Sequence, residues 1–157
     1  MPPVSTIIKI ISGGQTGVDR AALDAAIEAG LAHGGWCPRG RRAEDGALDP
    51  RYRLRETGSP KYAHRTGLNV RDSDGTLILS EGIPEGGTAL TLQLAKRHGK
   101  PVLVVDPKAA DALDTIRRWL TRHHIEVLNV AGPRESRRPG VYLRGRSMLE
   151  RLFAGVK

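Results

Sequence analysis

Apolar and polar positions along this chain alternate between two periods, and the switches mark its elements. Ile7-Ile8-Lys9-Ile10-Ile11 is a β-branched run closed by Ser12-Gly13-Gly14, the pattern of a buried strand. Over residues 17–29 the apolar positions Val18, Ala22, Ala25 and Ala29 recur at helical spacing, and Gly30 suits the position just past a helix C-cap. A weak, short strand is expected around Gly35-Trp36-Cys37. Residues 38–60, rich in Gly, Pro and Arg, read as a long loop with short turns; loops of that length are usually functional or mobile. A short helix is expected over 64–70, a strand over 75–79, a helix over 88–98, a strand over 101–105 and a helix over 109–123. A fifth strand over 125–130 and a closing helix over 141–153 complete the chain. Repeated β–α alternation with β-branched strands predicts an α/β fold, a doubly wound, mainly parallel sheet covered by helices on both faces.

Length and composition narrow this picture. At 157 residues, 39% hydrophobic and 27% charged, the chain reads as one soluble domain over 1–157. The longest aliphatic stretches, such as Val102-Leu103-Val104-Val105, are too short for a membrane span. Met1-Pro2-Pro3-Val4 offers neither the basic nor the apolar region of a secretory leader, and the single cysteine, Cys37, excludes an internal disulfide framework. A cytoplasmic protein is the expectation.

Charge then adds chemistry. Twenty-five Lys+Arg against 17 Asp+Glu give a net +8, and the excess is clustered arginine. Arg39, Arg41 and Arg42 are followed by Arg51, Arg53 and Arg55; a second cluster holds Arg134, Arg137, Arg138, Arg144 and Arg146. Guanidinium forks grip phosphate-like oxyanions, although clusters of this kind also serve simply as solvated surface. The six aromatic residues form no basic–aromatic ladder, so nucleic acid is disfavoured as a partner.

In open α/β sheets ligands bind beyond the carboxyl ends of the strands. Two strand-to-helix turns here are rich in glycine: Ser12-Gly13-Gly14-Gln15-Thr16-Gly17 and Gly82-Ile83-Pro84-Glu85-Gly86-Gly87-Thr88. Each could bring backbone N–H groups and a helix N-terminus to an anion, or be a tight connection and nothing more. Familiar alternatives fail at specific residues. No Walker-type loop occurs, Gly13, Gly14 and Gly17 do not space as a dinucleotide fingerprint, and His33-Gly34-Gly35-Trp36-Cys37 lacks the acid that would hold a ribose. No nucleophile elbow is present, and His123-His124 belongs to a helix C-terminus.

Ile11-Ser12-Gly13-Gly14-Gln15-Thr16-Gly17-Val18-Asp19-Arg20-Ala21-Ala22-Leu23-Asp24 resembles the opening motif of the molybdenum cofactor carrier family. Gly35 through Gly46, Arg65-Thr66 with Asn69-Val70, Asp74 through Ile78, Gly86-Gly87-Thr88 and Val130 through Ser136 resemble its other blocks, so the likeness spans nearly the whole chain. The resemblance implies a Rossmann-like three-layer α/β/α fold, related to lonely-guy-type phosphoribohydrolases and lysine-decarboxylase-like proteins. It implies a homo-oligomer, dimer or tetramer, that carries the molybdenum cofactor, a pterin bearing a dithiolene and a terminal phosphate, for delivery to molybdoenzymes or their insertion machinery. By the same resemblance Gly13, Gly14, Gln15, Thr16 and Gly17, with Gly86, Gly87 and Thr88, would cradle the ligand. Arg39, Arg65 and Asn69 would add side-chain contacts, with Arg134 on the same edge. Asp19 and Arg20 would order the first turn of their helix, Arg20 also reaching the ligand.

One departure bears on chemistry. The related phosphoribohydrolases carry Gly-Gly-x-Gly-Thr-x-x-Glu, whose glutamate is the acid/base; here Thr91 stands in its place, and threonine does not titrate near neutral pH. That favours a carrier without turnover over a hydrolase. Glu81 and Glu85 are close in sequence and keep open an enzyme or sensor for a nucleotide-derived ligand, such as a nucleoside monophosphate or ADP-ribose.

Overall fold

The strand and helix runs assemble into one five-stranded parallel sheet. In a computed structural model, which describes residues 6–156 and so leaves the Met1-Pro2-Pro3-Val4 stretch outside, β1 (Lys9–Ile11) leads into α1 (Val18–Glu28) and returns as β2 (Ala32–Gly34). After residues 35–61 come α2 (Tyr62–Arg71), a central strand (Gly75–Leu79), α3 (Gly86–Arg97), an edge strand (Val102–Val105), α4 (Ala112–Arg122), the last strand (Val127–Ala131) and α5 (Val141–Phe153). Short strands in the intervening segment, β3 (Trp36–Cys37), β4 (Arg42–Ala43), β5 (Gly46–Ala47) and β6 (Arg55–Glu56), make the later sheet strands β7, β8 and β9. The order across the sheet is β2-β1-β9-β7-β8, every pair parallel. This is the parallel α/β sheet that the alternation predicts and the Rossmann-like fold that the resemblance implies.

The central strands are buried on both faces because both are covered, and on one of them Asn129 donates to Thr76 Oγ1 at 3.2 Å. All five residues of β7 are buried, and Leu77, Leu79, Leu128 and Val130 join α1, α4 and α5 in one core with Ile116, Leu120, Leu149 and Phe153. Small residues let α1 lie close on α5: Ala21, Ala22, Ala25 and Ala26 are fully buried, and Gly145 of α5 faces Ala21. The C-terminus of α1 closes as the sequence anticipates. Gly30 is left-handed (φ 74), its N–H bonds to Ile27 O at 3.1 Å and Leu31 N–H to Ala26 O at 2.9 Å, a Schellman closure.

The structure refines two expectations. The short strand expected around residues 35–37 forms as Trp36–Cys37, but outside the main sheet: Gly35, at φ 123, turns the backbone, Trp36–Cys37 pairs with Arg55–Glu56, and the second sheet strand is Ala32–Gly34. Residues 38–60, expected as a long loop with short turns, also hold three two-residue strands. Besides β4, β5 and β6 they contribute Leu48, Tyr52 and Leu54 to a second small core with Leu23, Cys37 and Ala43. Arg41 holds this segment together, donating to the carbonyls of Tyr52 at 2.8 Å and Asp49 at 2.9 Å and, more weakly, Leu48 and Leu54. Helix boundaries move by two or three residues, with α3 starting at Gly86 and α4 at Ala112. Among the described residues, no helix is long and apolar enough to cross a membrane.

Candidate functional site

β1 leads outward to β2 and β7 leads outward to β8, so the direction of winding reverses over β9, between them. A cleft with about 710 Å³ of empty space, including its open mouth, lies there at the carboxyl ends of the strands. Its walls are Gly13 and Gln15 after β1, Tyr62, Arg65, Thr66 and Asn69 of α2, Gly87, Thr88 and Thr91 of α3, and the segment after β9 with Gly132, Arg134 and Arg137. Close approach bears on two of these glycines, against backbone at Gly132 and against a side chain at Gly13. The place of a Cβ on Gly132 is taken by Leu79 O and Val18, and that on Gly13 by the guanidinium of Arg65.

The cleft is cationic. Arg65 donates from Nη1 to Thr66 Oγ1 at 2.7 Å, while its Nη2 lies 3.8 Å from Asp19 Oδ2, beyond hydrogen-bond distance. Arg42, Arg65 and Arg134 all lie 5.4–5.8 Å from the centre of the Tyr62 ring, and of the three Arg65 and Arg134 line the cleft. Arg137 rests on Gly86 at the start of α3, whose N-cap residue, Glu85, makes no side-chain capping bond. The first turn of α3 adds the positive end of that helix to the wall, where Gly87 and Thr88 lie, although Thr88 N already donates to Glu85 O at 3.0 Å.

Two buried polar groups stand out. Gln15 is 5% exposed, and its Oε1 accepts from Glu44 N at 2.8 Å and Thr16 N at 3.1 Å. Both bonds fix the amide's orientation, and they leave Nε2 buried without a partner. The Asp19 carboxyl accepts from Gln15 N at 3.3 Å and faces Arg65, Arg20 and Arg134, yet burial outweighs them and pushes its pKa up to about 6.

The structure divides the residues singled out from sequence. Gly13, Gln15, Arg65, Asn69, Gly87, Thr88 and Arg134 converge on the cleft. Asn69 does so with its amide already engaged, Oδ1 accepting from Trp36 N at 2.7 Å and Nδ2 donating to Trp36 O at 3.0 Å. Gly14, Thr16, Gly17, Arg20, Arg39 and Gly86 do not line it. A Cβ on Gly14 would run into Leu48 and Leu54 of the second core, and Gly17 (φ 79) lets the segment after β9 lie against the start of α1. Thr16 donates to Glu44 and accepts from Glu135 N. Arg20 is held by Gly14 O and, at 3.0 and 3.1 Å, by Asp45, so it faces away from the cleft. Arg39 reaches the Gly58 carbonyl on its own loop. Sequence reading missed Tyr62, one helical turn before Arg65, and Arg137, visible only as part of a basic cluster; it also took Asp19 for a helix-ordering residue alone.

A second, wider-open cavity, with about 1040 Å³ of empty space including its mouth, opens beyond Arg20 and is lined by Asp24, Glu44, Tyr52 and Tyr142 among others. Its acids are fully engaged. Asp24 accepts from Tyr52 Oη at 2.6 Å, Arg51 Nη2 at 2.7 Å and Tyr142 Oη at 2.5 Å. Burial and these bonds hold both phenols above the usual tyrosine range. Among the described residues, no cluster of three or more His, Cys, Asp or Glu side chains is arranged to hold a metal ion.

Comparison with known proteins places this geometry in a family. The sequence profile of the circularly permutated YpsA SLOG family matches residues 10–153. A crystal structure from Syntrophus aciditrophicus SB, named "Putative molybdenum carrier protein", is 47% identical and superposes with a TM-score of 0.92, over 96% of this chain and 97% of that one. No curated protein matches.

Proposed function

Because this chain belongs to the circularly permutated YpsA SLOG family, we propose that it is a one-domain carrier that binds, shields and hands on the molybdenum cofactor without turning it over. The observation that carries this reading is the Gln15 amide, a buried donor with no partner in a cleft ringed by arginine. A buried polar group left unsatisfied costs roughly 1–3 kcal/mol, so such a donor calls for an acceptor, whether a ligand oxygen or an ordered water beside the cleft. In this reading Arg65, Arg134 and the first turn of α3, with Gly87 and Thr88, hold an anionic oxygen such as the terminal phosphate, and Gln15 donates to an acceptor of the ligand. Gly13 and Asn69 shape the floor; Gly14, Thr16, Gly17 and Arg20 brace the turn, and Gly86 seats Arg137. The name of the Syntrophus relative points to the same cargo. A cytoplasmic homo-oligomer that meets molybdoenzymes or their insertion machinery is the cellular setting this reading implies.

The test is recovery of cargo. Protein purified from a host that makes the cofactor is denatured and oxidised, and pterin fluorescence is compared with an unrelated protein and with Arg65→Ala. Pterin well above both supports the carrier; none above the unrelated protein, with no uptake of added cofactor, overturns it. Asp19 favours one rival, since a carboxyl near pH 6 in a cleft is suited to acid/base work. Turnover of a nucleoside monophosphate, abolished by Asp19→Asn, would establish that reading instead.

A further inference from the structure

The Arg65–Asp19 pair is incompletely made. Arg65 Nη2 is 3.8 Å from Asp19 Oδ2, both side chains are nearly buried, and both residues line the cleft. Asp19 lies at the start of α1; the charges that face it are Arg65 from α2, Arg134 from the segment after β9, and Arg20 from its own helix, together with the Gln15 N–H. Glu85 and Arg137 line the opposite wall. An anion that reached Arg65 and Arg134 would therefore approach a buried carboxylate and draw off the two cations that offset it most directly across the cleft.

We propose that anion binding in this cleft is coupled to proton uptake by Asp19, so that the cleft grips its ligand with Asp19 neutral and loosens when Asp19 ionises. This rests on the cleft being the ligand site, and it adds a release device to it. Burial already biases Asp19 toward the neutral form. A neutral carboxyl keeps an oxygen for the Gln15 N–H and can itself donate its proton to a ligand oxygen. An ionised one repels the same oxygen. By linkage, whatever the anion does to the proton affinity of Asp19, the proton does in equal measure to anion affinity.

Sulfate serves as the probe, because it stays a dianion across the range used. Its dissociation constant is measured by thermal shift, against chloride at matched ionic strength, at pH 5 and pH 8 for wild type and Asp19→Asn. Asparagine retains the acceptor oxygen, and circular dichroism verifies the fold. Wild type should bind about tenfold more tightly at pH 5, the size of a typical coupling, while Asp19→Asn binds with the tighter constant at both pH values. Equal wild-type affinity at the two pH values overturns the coupling and leaves the anion cleft standing, as does an undiminished pH dependence in Asp19→Asn. No sulfate-dependent shift in either protein at either pH overturns the coupling together with the cleft reading.

Discussion

The guanidinium of Arg65 occupies the space that a side chain on Gly13 would need. A Cβ at position 13 would lie 2.7 Å from Arg65 Cδ and 2.8 Å from Cζ, well inside contact distance. The glycine after β1 is therefore the seat of the arginine from α2, and the two must be considered together. A charge-assisted hydrogen bond is worth roughly 1.5–3 kcal/mol, or about ten- to a hundredfold in affinity. Arg65→Ala should weaken cofactor retention by that factor with little loss of fold. Gly13→Ala leaves the arginine in the sequence but displaces it, and should reproduce much of the same loss. Released pterin per protein, measured for both variants, checks the pair; a Gly13→Ala protein that retains cofactor as wild type does would show that Arg65 acts elsewhere.

Gly14, one residue on, answers to different physics. Its φ is 80, and a Cβ there would lie 2.8 Å from Leu48 Cδ1 and 3.0 Å from Leu54 Cδ1, so it faces the second core and not the cleft. Gly14→Val should cost stability first, about 3 kcal/mol from the strained backbone and overpacking combined. Urea unfolding should show that loss in the absence of any ligand.

Those adjacent glycines illustrate how far the sequence could be read. β1, β7 and α1 were legible because their periodicity is local: Ile10-Ile11, Leu77-Ile78-Leu79 and the Ala22/Ala25 stripe each carry their own pattern. The glycine turns were legible as turns, but which way each residue faces depends on what returns to meet it. Leu48 and Leu54 meet Gly14 only because Arg41 gathers the carbonyls of residues 48–54, a set of side-chain-to-backbone bonds with no spacing rule. The break at Gly35 was likewise hidden, since one glycine in a weak apolar run does not announce a change of sheet. Asp19 matched a helix start so well that its burial in the cleft had no separate signal.

Asp19 also sets a pH dependence of the ligand-free protein. Its pKa rises from 3.8 to about 6 on folding, so between those values the folded chain binds more proton than the unfolded one. The contribution of Asp19 to stability must then fall as pH rises through that window, by about 3 kcal/mol at most, and the cost persists above it. Asp19→Asn should be more stable than wild type at pH 8 and nearly equal to it at pH 4. Denaturant melts at the two pH values would show this; a variant less stable than wild type at pH 8 would mean that the pairing with Arg65 outweighs burial.

Asp24 ties α1 to α5 and to the second core through two phenols. Tyr142→Phe and Tyr52→Phe each remove a donor to a buried carboxylate, and each should cost about 1.5–3 kcal/mol. Because they share one acceptor, the double variant should not lose the sum of the two. A double-mutant cycle in urea measures the coupling, and strict additivity would show that Asp24 does not join them.

Thr91 separates holding from chemistry. The sequence resemblance sets it against the acid/base glutamate of phosphoribohydrolases, and it lines the cleft, buried, with Oγ1 donating to Gly87 O at 2.9 Å. That bond runs back along the helix to a carbonyl four residues earlier, so the hydroxyl proton is already committed and no group in it titrates near neutral pH. Thr91→Ala should leave cofactor retention within about twofold and cost no more than about 1 kcal/mol of stability, the net worth of one such bond. Thr91→Glu tests the converse, because it returns a carboxylate to a cleft that Arg65, Arg134 and Arg137 make cationic. Its charge would compete with the ligand for those arginines and should lower retention at least tenfold, by the same arithmetic that applies to losing one of them. Pterin release from the two variants distinguishes the outcomes. If Thr91→Ala instead abolished a measurable nucleotide turnover while Arg65→Ala kept its pterin, the cleft would be an active site and the carrier reading would fail.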